Sequence, residues 1–402
     1  MNEKHTSRII LISQHFWPES GATAQIITDL ANGLSMRGWE VIVCTDAIGN
    51  DHLNGIRIER PNKKTAFNQR HAHQVSRKAI AGILFCVRAL AWCTKEARSS
   101  DRLLVVSNPP FVGLVGLCVK IAKKASFIYL LQDIFPHSAV VSGVLSKRGF
   151  SARAWGWLMR RVCISACSVI VLSESMQRRL RMDFGDDVKT TVIHNWAVET
   201  GLQEVSESSR LDFGYQYPDY FTVQYSGNFG RMHDIETMLG AALLLRGEPI
   251  RFVFIGSGPK QSLIDSFIAD NQLENIVVLP YQKRERLRES LIACDLSAVC
   301  LISGAEELVA PSKLYGILAS GKPVLFVGTE SCDLVDLVAA SECGIIVSPG
   351  EVEVLADKIL ALSKDRDLAE RMGNNSRDLY RRRFGLHRSV VQYDQVIRKC
   401  GC

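Results

Sequence analysis

Short runs rich in isoleucine and valine alternate with helical stretches along almost the whole chain. Runs of this kind, joined through helices, are typical of βαβ units in parallel sheets. Six candidate strands lie in the first half, at residues 8–12, 40–45, 103–107, 126–131, 168–172 and 191–194. Six more lie at 222–226, 250–255, 276–279, 296–301, 323–327 and 344–347. The sequence therefore predicts an α/β protein with two successive Rossmann-like, doubly wound parallel sheets of about six strands each.

The length of 402 residues suits two domains, and a polar stretch at 199–210 separates the two sets of strands. We predict an N-terminal domain of residues 1–198 and a C-terminal domain of residues 199–378. Residues 379–402 are predicted to form a C-terminal helix that packs back on the N-terminal domain.

No basic n-region followed by an apolar h-region opens the sequence, so no secretory leader is predicted. The apolar runs fall short of about 18 uninterrupted residues, so no membrane span is predicted either. Its twelve cysteines lack the spacing of a metal site and suit a reducing compartment. The close pairs Cys163/Cys167 and Cys400/Cys402 are interpreted as buried thiols and a frayed tail. The predicted location is the cytoplasm.

Charge is distributed unevenly, because residues 1–196 carry a net +12 and the remainder carries −6. A basic half beside an acidic half favours contact between one domain and an anionic surface. The sequence contains no recognisable nucleic-acid module, so no nucleic acid is predicted as a partner. An ordinary, unevenly charged solvated surface is the alternative interpretation.

In open α/β sheets, ligands bind beyond the carboxyl ends of the strands, and two facing sheets of this kind would form a cleft. After the first strand, Gly21 and Ala22 open a helix whose free N–H groups favour an anion. The alternative is a plain strand-to-helix turn.

The second half begins with a strand that runs into a glycine-rich loop at 225–234. Candidate phosphate-binding residues in this loop are Ser226, Gly227, Asn228 and Arg231. The next strand ends in a second glycine turn, with Gly256, Gly258 and Lys260. Glycines, backbone donors and cations on adjacent strands predict a diphosphate cradle.

A third loop spans residues 303–316. Ser312 and Lys313 open a helix and are a further candidate anion site, while Glu306 and Glu307 could accept hydrogen bonds from ribose or sugar hydroxyls. The alternatives are that Ser312 is an N-cap and that the glutamates belong to a solvated loop.

In the first half, Asp133 leaves an apolar strand and is a candidate polar group at the floor of a ligand site, with capping of the following turn as the alternative. The single Asp-x-Asp, at residues 365–367, is interpreted as a solvated helical face. We therefore predict no metal and no hydrolase triad.

Together these loops resemble glycosyltransferase family 4, whose members are retaining enzymes of the GT-B fold. The resemblance spans nearly the whole chain and rests on residues 20–25 (SGATAQ), 132–136 (QDIFP), 225–234 (YSGNFGRMHD) and 311–316 (PSKLYG). It is strongest to the bacterial WbuB/WcaI-like subgroup, which makes O-antigen, capsule or colanic-acid repeat units.

The resemblance implies metal-independent transfer, with retention, of a sugar of the fucose or N-acetylfucosamine type. The donor would be a nucleotide-diphosphate sugar held by the C-terminal domain, and no other cofactor is implied. The acceptor would be a polyprenyl-diphosphate-linked saccharide held by the N-terminal domain. Asp133 would orient the acceptor, while Arg231 and Lys313 would stabilise the leaving diphosphate.

The chain departs from the family pattern at several positions. Asn228 and His233 stand where many members carry Arg and Lys, and Leu308 and Gly316 stand where the Glu-x7-Glu motif has glutamates. Gln132 replaces a frequent histidine. A sugar-nucleotide 2-epimerase of the same fold and a non-catalytic nucleotide-binding scaffold are therefore the alternatives, whereas the lack of GxGxxG disfavours an NAD(P) oxidoreductase.

Two stretches of the N-terminal half, residues 76–98 and 147–162, combine basic residues with apolar ones at helical spacing. Residues 147–162 place Phe150 and Trp157 among basic residues, including Arg148, Arg153, Arg160 and Arg161. This pattern predicts peripheral contact with an anionic membrane, at the inner face of the plasma membrane. Residues 76–98 carry an apolar stripe at spacings of three and four, for which packing on the domain's own sheet is the favoured interpretation.

Overall fold

The chain forms two sheets, each belonging to a separate unit. The computed structural model describes residues 7–19, 21–61, 75–146, 149–197, 220–282, 286–329 and 332–400, with side chains at 75–78 not described. Unit 1 contains Met1–Asn195, Leu308–Ala310 and Leu386–Cys402, and unit 2 contains Trp196–Glu307 and Pro311–Gly385. Ser20, Arg148 and the polar stretch at 199–210 lie outside the described residues.

The sheet of unit 1 has eight strands. They are β1 (Arg8–Ile12), β2 (Glu40–Cys44), β3 (His52–Leu53), β4 (Ile56–Glu59), β5 (Arg102–Val106), β6 (Ser126–Leu130), β7 (Ser168–Val171) and β8 (Thr190–Val192). Their order is β3-β4-β2-β1-β5-β6-β7-β8, and all neighbours pair in parallel except β3 and β4. The six predicted strands are confirmed, and the β3–β4 hairpin is an addition. Its turn is Asn54-Gly55, both at positive φ, which is a strong hairpin signal that the sequence analysis missed.

The described residues of unit 1 up to Asn195 form six helices. They are α1 (Ala22–Met36), α2 (Val75–Glu96), α3 (Gly113–Lys123), α4 (His137–Val141), α5 (Phe150–Ser165) and α6 (Glu174–Phe184). Helix α3 packs against both α2 and α5, so these three helices lie side by side. No helix of the described residues is long and apolar enough to cross a membrane.

Unit 2 repeats the architecture with six parallel strands. They are β9 (Phe221–Ser226), β10 (Ile250–Ile255), β11 (Ile276–Leu279), β12 (Leu296–Cys300), β13 (Val324–Val327) and β14 (Gly344–Val347). Their order is β11-β10-β9-β12-β13-β14, so the winding reverses between β9 and β12. Val223, Phe252 and Leu325 are fully buried in the core of this unit, which explains the continuous apolar runs of the sequence.

The helices of unit 2 are α7 (Glu236–Leu244), α8 (Gln261–Asn271), α9 (Leu287–Ile292), α10 (Lys313–Ala319), α11 (Asp333–Ala340), α12 (Val352–Lys364) and α13 (Arg366–Arg383). The Asp365 side chain caps α13 by accepting a hydrogen bond from the Leu368 N–H.

The last helix, α14 (Leu386–Lys399), belongs to unit 1 and packs on α1. Its Asp394 carboxylate accepts hydrogen bonds from Trp39 Nε1 at 2.7 Å and Arg37 Nε at 2.8 Å. Cys400 is buried and forms a disulfide with Cys167. The interpretations of Cys400 as part of a frayed tail and of Cys167 as a buried thiol are therefore wrong, because a disulfide joins the two residues.

Candidate active site

The carboxyl ends of β9, β10 and β12 form the edge of unit 2 that carries the predicted phosphate loops. Strand β9 lies between β10 and β12, so the loops that follow these three strands leave the sheet side by side. In a doubly wound sheet this reversal point opens a crevice for a ligand. The topology therefore brings together the three loops that the sequence analysis had singled out.

Two glycine turns pack backbone against backbone at this edge. Gly227 has φ +129° and Gly256 has φ +140°, which side-chain-bearing residues rarely adopt. A Cβ on Gly256 would lie 2.0 Å from the Gly227 carbonyl oxygen, and one on Gly258 would lie 2.6 Å from that of Phe229. Glycine is therefore required here for close approach of the two loops.

Lys313 lies against the first of these glycines. A Cβ on Gly227 would come within 2.5 Å of Lys313 Cε. The ammonium Nζ donates to Tyr225 Oη at 2.6 Å and lies 4.1 Å from the centre of the Tyr225 ring. Burial lowers the pKa of Lys313 to about 7. Ser312 stands at the N-cap position of α10, but its side chain makes no capping hydrogen bond.

His233 completes the cluster from the loop after β9. Its Nδ1 lies 2.7 Å from Tyr225 Oη and 2.8 Å from the Asn228 carbonyl oxygen, and it accepts the Gly230 N–H at 3.1 Å. Burial, together with the charge of Lys313, lowers the pKa of His233 to about 3. The imidazole is therefore neutral at physiological pH.

The two other candidate cations stand in different surroundings. Lys260 Nζ lies 2.7 Å from both carboxylate oxygens of Glu236 and donates to the His233 carbonyl oxygen at 2.8 Å. Arg231 is exposed on the turn between Gly230 and His233. Lys260 is thus already neutralised by an ion pair, whereas the Arg231 guanidinium is open to solvent.

The glutamates of the loop after β12 also differ from one another. Glu306 is only 3% exposed, and its Oε1 accepts the Thr329 N–H at 2.7 Å. The solvated-loop alternative is therefore wrong for Glu306, which ties its loop to the segment after β13. Glu307 is half-buried.

The corresponding edge of unit 1 has a different chemistry. Gly21 and Ala22 are exposed at the start of α1, which has no side-chain cap. Thr23 Oγ1 donates to Gln132 Oε1 at 3.0 Å, and Ser107 Oγ accepts the Gln132 N–H at 2.8 Å. Hydroxyl and amide groups from the start of α1 and the ends of β5 and β6 therefore meet at one place.

Asp133 follows Gln132 and pairs through its backbone with Val309. Among the described residues, none donates a hydrogen bond to its carboxylate, and burial raises the pKa of Asp133 to about 6. A desolvated carboxyl group without a partner at the carboxyl end of a strand favours a functional role over capping of the turn.

Helix α5 presents different aromatic residues on its two sides. Trp155 stacks on Phe111 and Phe135, with ring centres 4.5 Å and 5.4 Å away. Phe150 and Trp157 are 86% and 60% exposed on the outer side, where Arg161 lies over the Trp157 ring. The outer side therefore combines apolar rings with guanidinium groups.

Helix α2 also has an apolar outer side. Ile80, Ile83, Leu84 and Val87 are all about half exposed, whereas Phe85 is fully buried on the opposite side. The spacings of three and four place the four exposed residues on one stripe. The interpretation that this stripe packs on the domain's own sheet is therefore wrong, because a separate set of residues fills that role.

Sequence profiles of two glycosyltransferase domains match successive parts of the chain. Residues 21–196 match "Glycosyl transferase 4-like domain" and residues 214–379 match "Glycosyl transferases group 1". With its two parallel-sheet α/β units, the chain is a glycosyltransferase of the GT-B fold. It belongs to the family in which a glycosyl transferase 4-like domain precedes a group 1 domain, and the predicted family resemblance and fold class are confirmed.

Two curated relatives are bacterial glycosyltransferases. The chain is 28% identical over 315 residues to the probable glycosyltransferase WbjE of Pseudomonas aeruginosa, covering 76% of each protein. It is 28% identical over 191 residues to WcaI of Escherichia coli (strain K12), a putative colanic acid biosynthesis glycosyl transferase, covering 46% of this chain and 47% of WcaI.

Solved structures share the fold over nearly the whole chain. Sucrose-phosphate synthase from Thermosynechococcus elongatus superposes with a TM-score of 0.79 at 19% identity, covering 98% of both chains. Anabaena HepE in complex with UDP-glucose superposes with a TM-score of 0.75 at 16% identity, covering 97% of this chain and 99% of HepE.

Proposed function

We propose that this glycosyltransferase transfers a sugar, with retention and without a metal, from a nucleotide-diphosphate sugar to a lipid-linked saccharide in bacterial surface polysaccharide biosynthesis. The observation that carries the proposal is the glycine cradle of unit 2, with Lys313 against it at the reversal point of the sheet. This arrangement offers backbone N–H groups and an ammonium to one diphosphate. The proposed sugar is of the fucose or N-acetylfucosamine type.

On the donor side, Lys313 and Arg231 stabilise the leaving diphosphate. Negative charge develops on the phosphate oxygens as the glycosidic bond breaks, and fixed cations there lower the barrier without reorganisation. Lys313 is half-buried, so its interaction with that charge is screened less than that of exposed Arg231. We therefore assign the larger catalytic contribution to Lys313. Ser226, Gly227, Asn228, Gly256 and Gly258 line the backbone cradle.

On the acceptor side, Asp133 orients the incoming hydroxyl. With a pKa of about 6, its carboxyl group is mostly ionised at neutral pH and can accept that hydrogen bond. The hydroxyl attacks from the face that the diphosphate leaves, and the leaving phosphate takes the proton. No covalent intermediate with the protein is required.

The named relatives support the substrate classes. WcaI is named for colanic acid biosynthesis, and HepE was solved with UDP-glucose. A polysaccharide acceptor and a nucleotide-sugar donor for this chain agree with both.

The outer sides of α2 and α5 support peripheral contact with an anionic membrane. Exposed apolar stripes on two helices of one layer would enter the headgroup boundary, where a lipid-linked acceptor is anchored. The net +12 of residues 1–196 favours an anionic surface. We propose the inner face of the plasma membrane as the location.

Two assays test the proposed function. A thermal-shift screen against UDP-, GDP- and dTDP-sugars should find one nucleotide that stabilises the protein by roughly 2.7 kcal/mol at 100 times its Kd. Transfer of the labelled sugar to a polyprenyl-diphosphate-linked saccharide should then proceed in EDTA, with the donor's anomeric configuration kept in the product. Binding without transfer would favour the scaffold alternative, and conversion of the free donor would favour the 2-epimerase.

A further inference from the structure

The Tyr225 hydroxyl links His233 to Lys313. Its oxygen lies 2.7 Å from His233 Nδ1, accepts a hydrogen bond from Lys313 Nζ at 2.6 Å and donates to the Asn228 carbonyl oxygen at 2.9 Å. The same carbonyl oxygen lies 2.8 Å from Nδ1, and the Gly230 N–H points at Nδ1 from 3.1 Å. The three side chains therefore form one hydrogen-bonded chain that holds the Lys313 amine in place.

This chain supplies orientation but no negative charge. Among the described residues, no carboxylate pairs with Lys313. The nearby Glu236 is paired with Lys260, and the Cys300 thiol on β12 has a pKa raised by burial, so it stays protonated. Lys313 is thus a desolvated amine whose charged form lacks a counter-ion, in agreement with its lowered pKa.

We propose that Tyr225 and His233 are positioning residues that hold the Lys313 amine beside Gly227, and that this amine takes up one proton when a nucleoside diphosphate binds. The inference rests on the proposed donor site. The incoming diphosphate supplies a counter-ion that the described carboxylates do not, so it favours the ammonium form. The proton comes from solvent and forms the third N–H bond of the ammonium, and no other covalent bond of the protein changes.

The proposed position of the Lys313 amine also requires that residue 233 is uncharged. An ammonium at position 233 would stand beside that of Lys313 and compete for Tyr225 Oη. A glutamine there would keep an oxygen acceptor for the Gly230 N–H without adding charge.

Calorimetry of UDP, GDP and dTDP binding to the full chain tests the inference. Titrations at pH 8 in HEPES, Tricine and Tris, which differ in ionisation heat, give the number of protons bound with the nucleotide. We expect most of one proton to be taken up by the wild type for the nucleotide that binds. Affinity should weaken by about tenfold per pH unit above pH 7, because protonating the amine becomes costlier.

Variants separate positioning from simple structural support. Tyr225→Phe keeps the ring under Lys313 but removes Oη, and should weaken binding about tenfold and alter the proton count. Tyr380→Phe removes a tyrosine hydroxyl elsewhere in unit 2 and is the matched control. His233→Gln should retain the wild-type pH profile, and His233→Lys should lose it. Lys313→Met should abolish proton uptake in whatever binding remains.

The outcomes distinguish the two proposals. Tight binding of one nucleotide without proton uptake at pH 8, or an unchanged pH profile in Tyr225→Phe, would overturn the inference while leaving the proposed function intact. If none of the three nucleotides binds to folded wild-type protein, the proposed function fails and the inference fails with it.

Discussion

The carboxyl edges of the two sheets share a topology but differ in chemistry. In each unit the first strand lies between the second strand of its set and the strand after the crossover, so both have a reversal point. In unit 2 this point is occupied by positive-φ glycines and the half-buried Lys313. In unit 1 it is occupied by hydroxyls, an amide and the Asp133 carboxylate, which has no donor among the described residues. The strand order of a sheet thus determines where a ligand can bind, while a few loop residues determine which charge that ligand should carry.

The largest loss of turnover should come from a substitution in unit 2. Replacing the half-buried cation by Lys313→Met should lower kcat by about 10²–10³-fold, since a fixed charge at the leaving group is lost from a partly desolvated site. Steady-state kinetics with the identified donor would measure this. Lys364→Met, at an exposed site on α12, is the control and should behave as wild type. Equal turnover in both variants would remove Lys313 from the catalytic group.

A smaller loss of turnover is expected from a substitution in unit 1. Asp133→Asn should reduce turnover by roughly 10²-fold through misorientation of the acceptor, with donor affinity nearly unchanged. Calorimetry with the donor and turnover assays separate the two quantities. A large loss of donor affinity with normal turnover would instead place Asp133 in donor binding.

The same variant makes a prediction about stability. The folded-state pKa of Asp133, about 6, lies above its ordinary value, so ionisation destabilises the native state as pH rises through that range. Asp133→Asn should therefore raise Tm more at pH 8 than at pH 4.5. The exposed Asp187→Asn is the matched control, and an identical Tm gain at both pH values would contradict the raised pKa.

Arg231 should contribute less than Lys313 to donor binding and turnover, because water screens the charge of this exposed side chain. Arg231→Ala should weaken donor binding about tenfold, as expected for one charge-assisted hydrogen bond, and lower turnover with it. Arg246→Ala removes another exposed arginine of unit 2 and should change neither. Wild-type affinity and turnover in Arg231→Ala would show that the diphosphate does not reach this turn.

The smallest effect on turnover in solution should come from the outer side of α5. Charge reversal at Arg153, Arg160 and Arg161 to Glu should weaken sedimentation with anionic liposomes, each charge contributing about 1 kcal/mol, and leave nucleotide affinity unchanged. Reversal of Arg371, Arg381 and Arg382 on α13 is the matched control. Equal binding of the wild type to neutral and anionic liposomes would argue against membrane contact.

Periodicity and glycine placement were enough to predict most of the fold. Strands β1, β10, β11 and β14 match their predicted bounds. For β1 and β10 the reason is burial, because strands buried on both faces read as unbroken apolar runs. The β3–β4 hairpin was missed, since β3 has only two residues and no run of its own.

The site was predicted less completely, because its contacts join distant parts of the chain. The sequence indicated the loops of Gly227, Gly256 and Lys313, but 88 positions separate Lys313 from Tyr225, and no local pattern links them. His233 could be recognised as a departure from the family, yet its partners could not. Exposure is equally non-local, so the stripe of α2 looked like a core-facing one.

The return of α14 to unit 1 has a consequence for how the protein is made. Asp394 accepts hydrogen bonds from Arg37 and Trp39. Val390 packs over Gly33, where a Cβ would lie 2.6 Å from Val390 Cγ2. The N-terminal unit therefore cannot complete its packing until Leu386–Lys399 has left the ribosome. At 5–20 residues per second this wait is roughly 10–40 s. During that interval the surface of α1 that α14 will cover stays open, so the nascent first domain, rather than the second, is the part most in need of a chaperone.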